Sequence, residues 1–255
     1  MMKNRRKRLR IALFLLITIL LLVLLNFLPA LSPKTPGMHE WKGKRINVWY
    51  ENHEAAAKDV FRYAERQSER LDRKLGVRQK KDIYIYDDQR VMQRQHYGWI
   101  ASLLGLDWYI GDNIGSRTIL LTSPANPPKV HSYDSIKYSV PHEIVHADLS
   151  SLNPHIGKWL TEGIALYLTN GEPFDKRMLR RLPSYEDTTS WNPIRFSRAG
   201  GYQTANTYIE YLDRTYGWDR VLRLARTEDY PACFGRSRKA VYEDWVRWLK
   251  RRYGR

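Results

Sequence analysis

The feature that most constrains this chain is HEIVH, His142 to His146. Histidines four residues apart stand about one turn apart on one face of a helix. Both imidazoles can then reach one tetrahedral cation. Glu143, beside the first of them, is placed to act as general base toward a water that the cation acidifies. Two imidazoles leave such a site unfinished. Sixteen residues after His146, Glu162 lies in WLTEGIALYL, and a carboxylate on a following helix is the usual third ligand. A fourth position left to water and substrate separates a catalytic zinc site from a structural one. Any fold this chain adopts must therefore bring two helical segments side by side. Gly163, directly after the glutamate, permits that close approach. The competing reading makes His142 and His146 surface or capping histidines and Glu143 a solvated charge.

The flanking pattern supports helices. Ile136, Val140, Ile144, Val145, Leu149 and Leu152 form one apolar stripe, which predicts a helix from about Ser135 to Leu152. His142 and His146 fall away from its centre. Pro141 lacks an N–H and crowds the carbonyl four residues back, so either the helix kinks there or its regular part begins there. Gly157 to Thr169 reads as the second helix, with Asn170-Gly171 as its stop.

HEIVHADL, a proline-bearing loop and KWLTEGIALYL resemble the gluzincin metallopeptidases, most closely the small peptidase MA-like domains. The resemblance extends weakly to IYIYDDQ, YIEYLDRTYGWDRVLRLA and DWVRWLK. It covers most of the chain beyond about residue 45, with its specific part confined to 142–165. It implies an α+β fold, a small N-terminal β-sheet followed by a mostly helical, thermolysin-like catalytic core. It implies His142, His146 and Glu162 as Zn2+ ligands, Glu143 as the base, and a peptide or protein substrate. By the same resemblance, the strand before the motif helix forms the cleft edge where an extended peptide adds as another strand. Thr118–Thr122 is the candidate, an ordinary core strand being the alternative. Gluzincin mechanisms often use a Tyr or His donor toward the oxyanion. Tyr202 is the first candidate and Tyr208 the second, unless both simply pack.

The resemblance fails at one point. Some gluzincins place an Asp four residues after the third ligand, where this chain has Leu166, so the acceptor that fixes the imidazole tautomer is unidentified. Two competing ligands are weaker. His155 follows Pro154 in a loop, and the metzincin pattern would need a Gly and a His where Leu149 and Leu152 stand. Asp148 points to a different side of the helix from His146 and reads as a structural or outer-shell acid.

The chain opens with a basic tail, residues 1–10, whose six Lys and Arg face no acid. Ile11 to Leu28 holds no ionisable residue and is long enough to cross a bilayer. Residues 11–31 are therefore expected to be an uncleaved anchor with the tail cytoplasmic and the remainder extracytoplasmic. A cleaved signal peptide is disfavoured by the length of the run and the lack of a small-x-small site. Residues 32–44, with Pro33, Pro36, Gly37 and Gly43, read as a linker, and 45–255 as the catalytic domain. Beyond the tail the chain keeps +10 of its +16 formal charge. That fits an anionic lipid or wall polymer as neighbour, or a generic solubilising surface. No nucleic-acid-binding signature accompanies the charge. Cys233 is the sole cysteine, so no intramolecular disulfide forms and a Cys-based metal site is implausible.

Strands are expected at Arg45–Tyr50 and Asp82–Asp87, with an amphipathic helix from Glu54 to Leu75 between them and Gly76 as its stop. Residues 90–116, broken by four glycines, read as a short helix and loops. Residues 172–200 read as a long polar loop with a short helix that covers the cleft. Helices follow at Thr204–Tyr216, Trp218–Ala225 and Ser237–Arg252. The reading as a whole is a membrane-anchored zinc metallopeptidase. Its rivals are a catalytically silent domain that binds or regulates at the outer membrane face and, more weakly, a wall- or lipid-directed hydrolase.

Overall fold

The computed structural model describes residues 2–169, 171 and 173–254. A long apolar helix, α1 (Met2–Asn26), comes first. Strands β1 (His39–Lys42) and β2 (Ile46–Tyr50) follow, then α2 (Glu54–Leu75), β3 (Lys81–Tyr86) and α3 (Gln89–Tyr97). Strands β4 (Gly111–Ile114) and β5 (Thr118–Thr122) precede the two motif helices, α4 (Tyr133–Leu152) and α5 (Lys158–Leu168). Two short helices, α6 (Tyr185–Thr189) and α7 (Pro193–Arg198), lead into α8 (Gly201–Tyr216), α9 (Trp218–Thr227), α10 (Tyr230–Phe234) and α11 (Arg238–Tyr253). The chain is thus a mixed α/β structure, mostly helical, with one small sheet.

The sheet order is β1-β2-β3-β5-β4. β2, β3 and β5 run parallel, and the two outer strands run antiparallel to their neighbours. The parallel pairing of β2 with β3 follows from α2, which supplies the long crossover that parallel strands need. Ile46, Val48, Ile83, Ile85, Ile119 and Leu121 are all buried in the principal core. With them are Ala57, Val60, Ala64, Leu71 and Leu75 of α2 and Ile136, Val140, Ile144 and Val145 of α4. Each such Val, Leu or Ile side chain contributes about 1.5–3 kcal/mol of burial free energy. A second, smaller cluster joins Met38, Tyr86, Met92, Tyr109 and Leu120, with Tyr84 and Trp49 packed against it. α2 stops where expected, with Gly76 at φ 68°.

Three expectations are corrected. His39–Lys42, inside the expected linker, is a strand paired with β2 from His39↔Tyr50 to Lys42↔Asn47. Four polar-leaning residues carry too little alternation to announce a strand; the neighbour supplies the pairing. Second, Thr118–Thr122 is not the sheet edge. It lies between β3 and β4, and Gly111–Ile114, within the stretch read as loop, forms the edge. Third, residues 172–200 hold more helix than expected. Ser184 caps α6 through a capping box, and the Asn192 side chain accepts from the Ile194 and Arg195 N–H groups to start α7.

The motif helix begins at Tyr133, with a capping box between Ser132 and Ser135, and runs unbroken through Pro141. Asn170, expected in the stop of α5, lies outside the described residues; Thr169 closes the helix, its N–H donating to the Ala165 carbonyl. Gly163 serves a different pair of helices from the two motif helices it was expected to bring together. A Cβ there would stand 2.8 Å from the Ala205 carbonyl oxygen and 2.9 Å from Ile209 Cγ1, so α5 and α8 pack too closely for any larger residue.

Candidate metal centre

α4 and α5 bring His142, His146 and Glu162 together. The two Nε2 atoms are 2.9 Å apart, with the rings nearly perpendicular at 87°. Glu162 Oε2 lies 3.3 Å from His142 Nε2, and Oε1 lies 3.6 Å from His146 Nε2. Donors bound to one tetrahedral zinc at about 2.0–2.1 Å would stand roughly 3.3–3.4 Å from one another. The three observed separations bracket that value. Glu162 is 3% exposed, and among the described residues its buried Oε2 takes no hydrogen bond. A buried carboxylate oxygen without a donor is costly unless a cation is its partner. The group can therefore hold a metal ion, and it is the one such cluster among the described residues.

Electrostatics agree with the geometry. Burial pushes the Glu162 carboxyl up, but the His146 and His142 imidazoles outweigh it and hold the group well below the usual carboxylate range. Burial disfavours His146 protonation, yet Glu162 and then Glu143 lift its pKa above the ordinary value. Glu143 is buried beside the pair, and burial raises its pKa against the pull of both imidazoles. A raised carboxyl is what a general base near neutral pH needs.

Two residues that sequence reasoning passed over contact this cluster. Thr161 Oγ1 lies 3.1 Å from His146 Nδ1. For Nε2 to present a lone pair to a cation, Nδ1 must carry the proton, and Thr161 is then its acceptor. In that tautomer this hydroxyl would be the acceptor that position 166 does not supply. Lys158, one turn before Glu162 on α5, donates from Nζ to Glu162 Oε1 at 2.7 Å. Its position four residues ahead of the ligand was the available signal.

The edge strand closes one side. A Cβ on Gly111 would stand 3.6 Å from Glu143 Cγ, so the β4 backbone passes directly against Glu143. On β4, Asp112 pairs with His96 Nδ1 at 2.9 Å and accepts from the Tyr109 hydroxyl. Burial opposes the Asp112 charge, but the His96 contact holds its pKa down.

The remaining candidates separate. Tyr202 stands in the first turn of α8, 38% exposed, its ring edge-on to Phe196 at 4.9 Å. Burial, then the charge of Glu162, pushes its phenol up to about 12, so it remains a proton donor at neutral pH. Tyr208 is in the core, donating to the Tyr230 hydroxyl at 3.1 Å. His155 is exposed in the α4–α5 loop, outside the cluster. Asp148 is fully buried and faces Lys81 Nζ at 2.6 Å, which makes it a structural acid joining α4 to β3.

A scan against protein-family models finds no match, and a search of curated proteins finds none either. The functional reading therefore rests on the residues and their arrangement.

Proposed function

We propose that this chain is a membrane-anchored, zinc-dependent peptidase with a thermolysin-like arrangement of sheet and motif helices. The observation that carries the proposal is the convergence of His142 Nε2, His146 Nε2 and the Glu162 carboxylate, with Glu143 beside them. Two imidazoles and one carboxylate are a donor set that suits Zn2+ with a position left for water and substrate. When bound, the ion supplies Lewis acidity for a peptide carbonyl and acidifies a water.

The rest of the chemistry belongs to side chains of this protein. Glu143 takes the proton of the attacking water and passes it to the leaving amine. Thr161 fixes the His146 tautomer. Tyr202 donates toward the oxyanion. The exposed side of β4, rather than Thr118–Thr122, offers backbone groups to an extended peptide next to Glu143. α1 has the length and apolarity to cross a membrane over Lys7–Asn26. The basic residues before it favour a cytoplasmic N-terminus and an extracytoplasmic domain, with the basic surface facing anionic lipid or wall polymer.

One observation favours a second reading, a silent domain that binds or regulates. The Lys158 ammonium already neutralises Glu162. In that reading Lys158 permanently takes the place of the cation. Purified full-length protein in detergent, wild type against Glu143→Gln, incubated with a mixed peptide pool, separates the two. The peptidase reading expects cleavage by the wild type and none by the variant, with equal metal content. A wild type that holds no metal and cleaves nothing favours the silent domain.

A further inference from the structure

The segment between α3 and β4 exposes more apolar surface than any other part of the domain outside α1. Trp99 is 56% exposed, Leu103 81% and Trp108 61%, with Ile100 and Leu104 also exposed. Across residues 98–108 the single ionisable residue is Asp107. Contiguous exposed apolar surface of this kind marks a surface that meets something.

The joint between α1 and the domain identifies what it meets. Asn26, the last residue of α1, clamps this segment with both ends of its amide. Nδ2 donates to the Tyr97 carbonyl at 3.1 Å, and Oδ1 accepts from the Ile100 N–H at 2.9 Å. Gly98 between them has φ 73°, and a Cβ there would stand 2.1 Å from the Asn26 carbonyl oxygen. Only glycine allows this docking. The following residues are fastened too, since the Tyr86 hydroxyl donates to the Pro33 carbonyl. The chain therefore leaves α1 through a bonded joint rather than the free linker expected from its prolines and glycines.

The uncharged part of α1, Ile11–Asn26, spans 16 residues. At about 1.5 Å per residue that is about 24 Å, most of the roughly 30 Å thickness of a bilayer's hydrocarbon core. Asn26 then stands at the boundary between hydrocarbon and headgroups, and whatever is bonded to it stands at the same depth. Tryptophan favours this depth, because its ring is apolar and its N–H polar. Arg94 is stacked over Trp99 at 5.0 Å, and at that depth its charge would meet headgroup phosphates.

We propose that Trp99–Trp108 is a second membrane attachment, seated in the interface of the bilayer that α1 crosses. This rests on the reading of α1 as a membrane-spanning helix. The consequence for the metal site is positional. Gly111, against Glu143, lies three residues after Trp108, at most about 11 Å along the chain. The edge strand and the base are then held near the membrane surface, within reach of polypeptide close to where it leaves a bilayer.

The test uses the full-length chain in vesicles with an environment-sensitive dye at one introduced thiol, the native Cys233 being buried. Leu103→Cys reads the patch, Leu20→Cys reads α1, and Lys239→Cys on α11 serves as an aqueous reference. The proposal expects lipid-borne quencher to act several-fold more strongly on the dye of the L103C variant than on that of K239C. An aqueous dye in L103C with a lipid-buried dye in L20C overturns the second attachment while leaving the anchor standing. Aqueous dyes in both overturn the anchor and the proposal with it. Efficient crosslinking of the L103C variant to itself, with its dye shielded from lipid quencher, overturns the proposal in favour of a contact between two copies of the chain.

Discussion

Lys158 donates to one oxygen of Glu162 at 2.7 Å, while the other oxygen lies 3.3 Å from the His142 ring nitrogen. The same carboxylate is thus shared between an ammonium and the imidazoles, and a metal ion must compete with the ammonium for it. Repulsion between unit charges about 5–6 Å apart is on the order of 3 kcal/mol at an effective dielectric of about 20. That exceeds what one orienting hydrogen bond contributes, about 0.5–1.5 kcal/mol. Lys158→Met should therefore bind zinc about tenfold or more tightly by competition titration, and its metal-free form should be less stable. Weaker zinc binding would mean that Lys158 serves chiefly to orient the carboxylate. A wild type that takes up no zinc, beside a variant that does, would support the silent domain.

Thr161 contributes the only acceptor for the His146 Nδ1 proton among the described residues. Thr161→Val keeps the shape and removes that oxygen. Loss of such an outer partner typically lowers metal affinity about 10–100-fold. The same titration measures it, and Thr161→Ser should restore most of the loss. A valine variant with unchanged affinity would remove the hydroxyl from the site.

Lys81 and Asp148 form a fully buried ion pair between β3 and α4, Asp148 raised to about 6 by burial against the pull of Lys81. Removing one partner of such a pair strands the other charge and costs about 3–5 kcal/mol. Lys81→Met should lower the unfolding midpoint accordingly. The double variant Lys81→Met/Asp148→Leu should recover much of that stability, because two apolar groups of similar volume leave no charge unpaired.

The metal-free and metal-loaded proteins should respond to pH in opposite directions. Glu162 has a folded pKa below its unfolded one, so its contribution is present above the unfolded value and is lost as pH falls through the folded value. His146 has a folded pKa above its unfolded one, so its contribution is present below the unfolded value and is lost as pH rises through the folded value. The metal-free chain should therefore lose stability as pH rises through the range just above the ordinary imidazole value. Zinc affinity should rise across that same range, because the bound imidazole must be neutral. Thermal unfolding with and without zinc, at a series of pH values, gives both trends.

Much of this architecture was legible in the residues. The 3.6-residue stripe of α2 and the Gly76 stop marked a helix whose ends agree with the structure. Gly163 signalled a close approach of helices, although its neighbour is α8 rather than α4. Illegible parts had partners far away in sequence. GDNI of β4 shows no alternation of its own and is a strand through its pairing with β5, which also moved the sheet edge. HEWK of β1 is a strand by virtue of β2. Asn26 lies inside the expected anchor with nothing to single it out, and its clamp around Gly98 exists only once α3 is in place. Thr161 and Lys158 lay within the recognised helix. Yet the motif draws attention to Glu162 alone, and their roles depend on which way two imidazoles turn.

The most direct measurement is the zinc stoichiometry and local coordination of the purified full-length chain, by elemental analysis and X-ray absorption. Wild type should carry one zinc with two imidazoles and a carboxylate oxygen at about 2.0–2.2 Å. His146→Ala and Glu162→Ala should each lose most of the metal while keeping their helical circular dichroism. A wild type that binds no metal, or one that binds it equally well after loss of either side chain, would contradict the account.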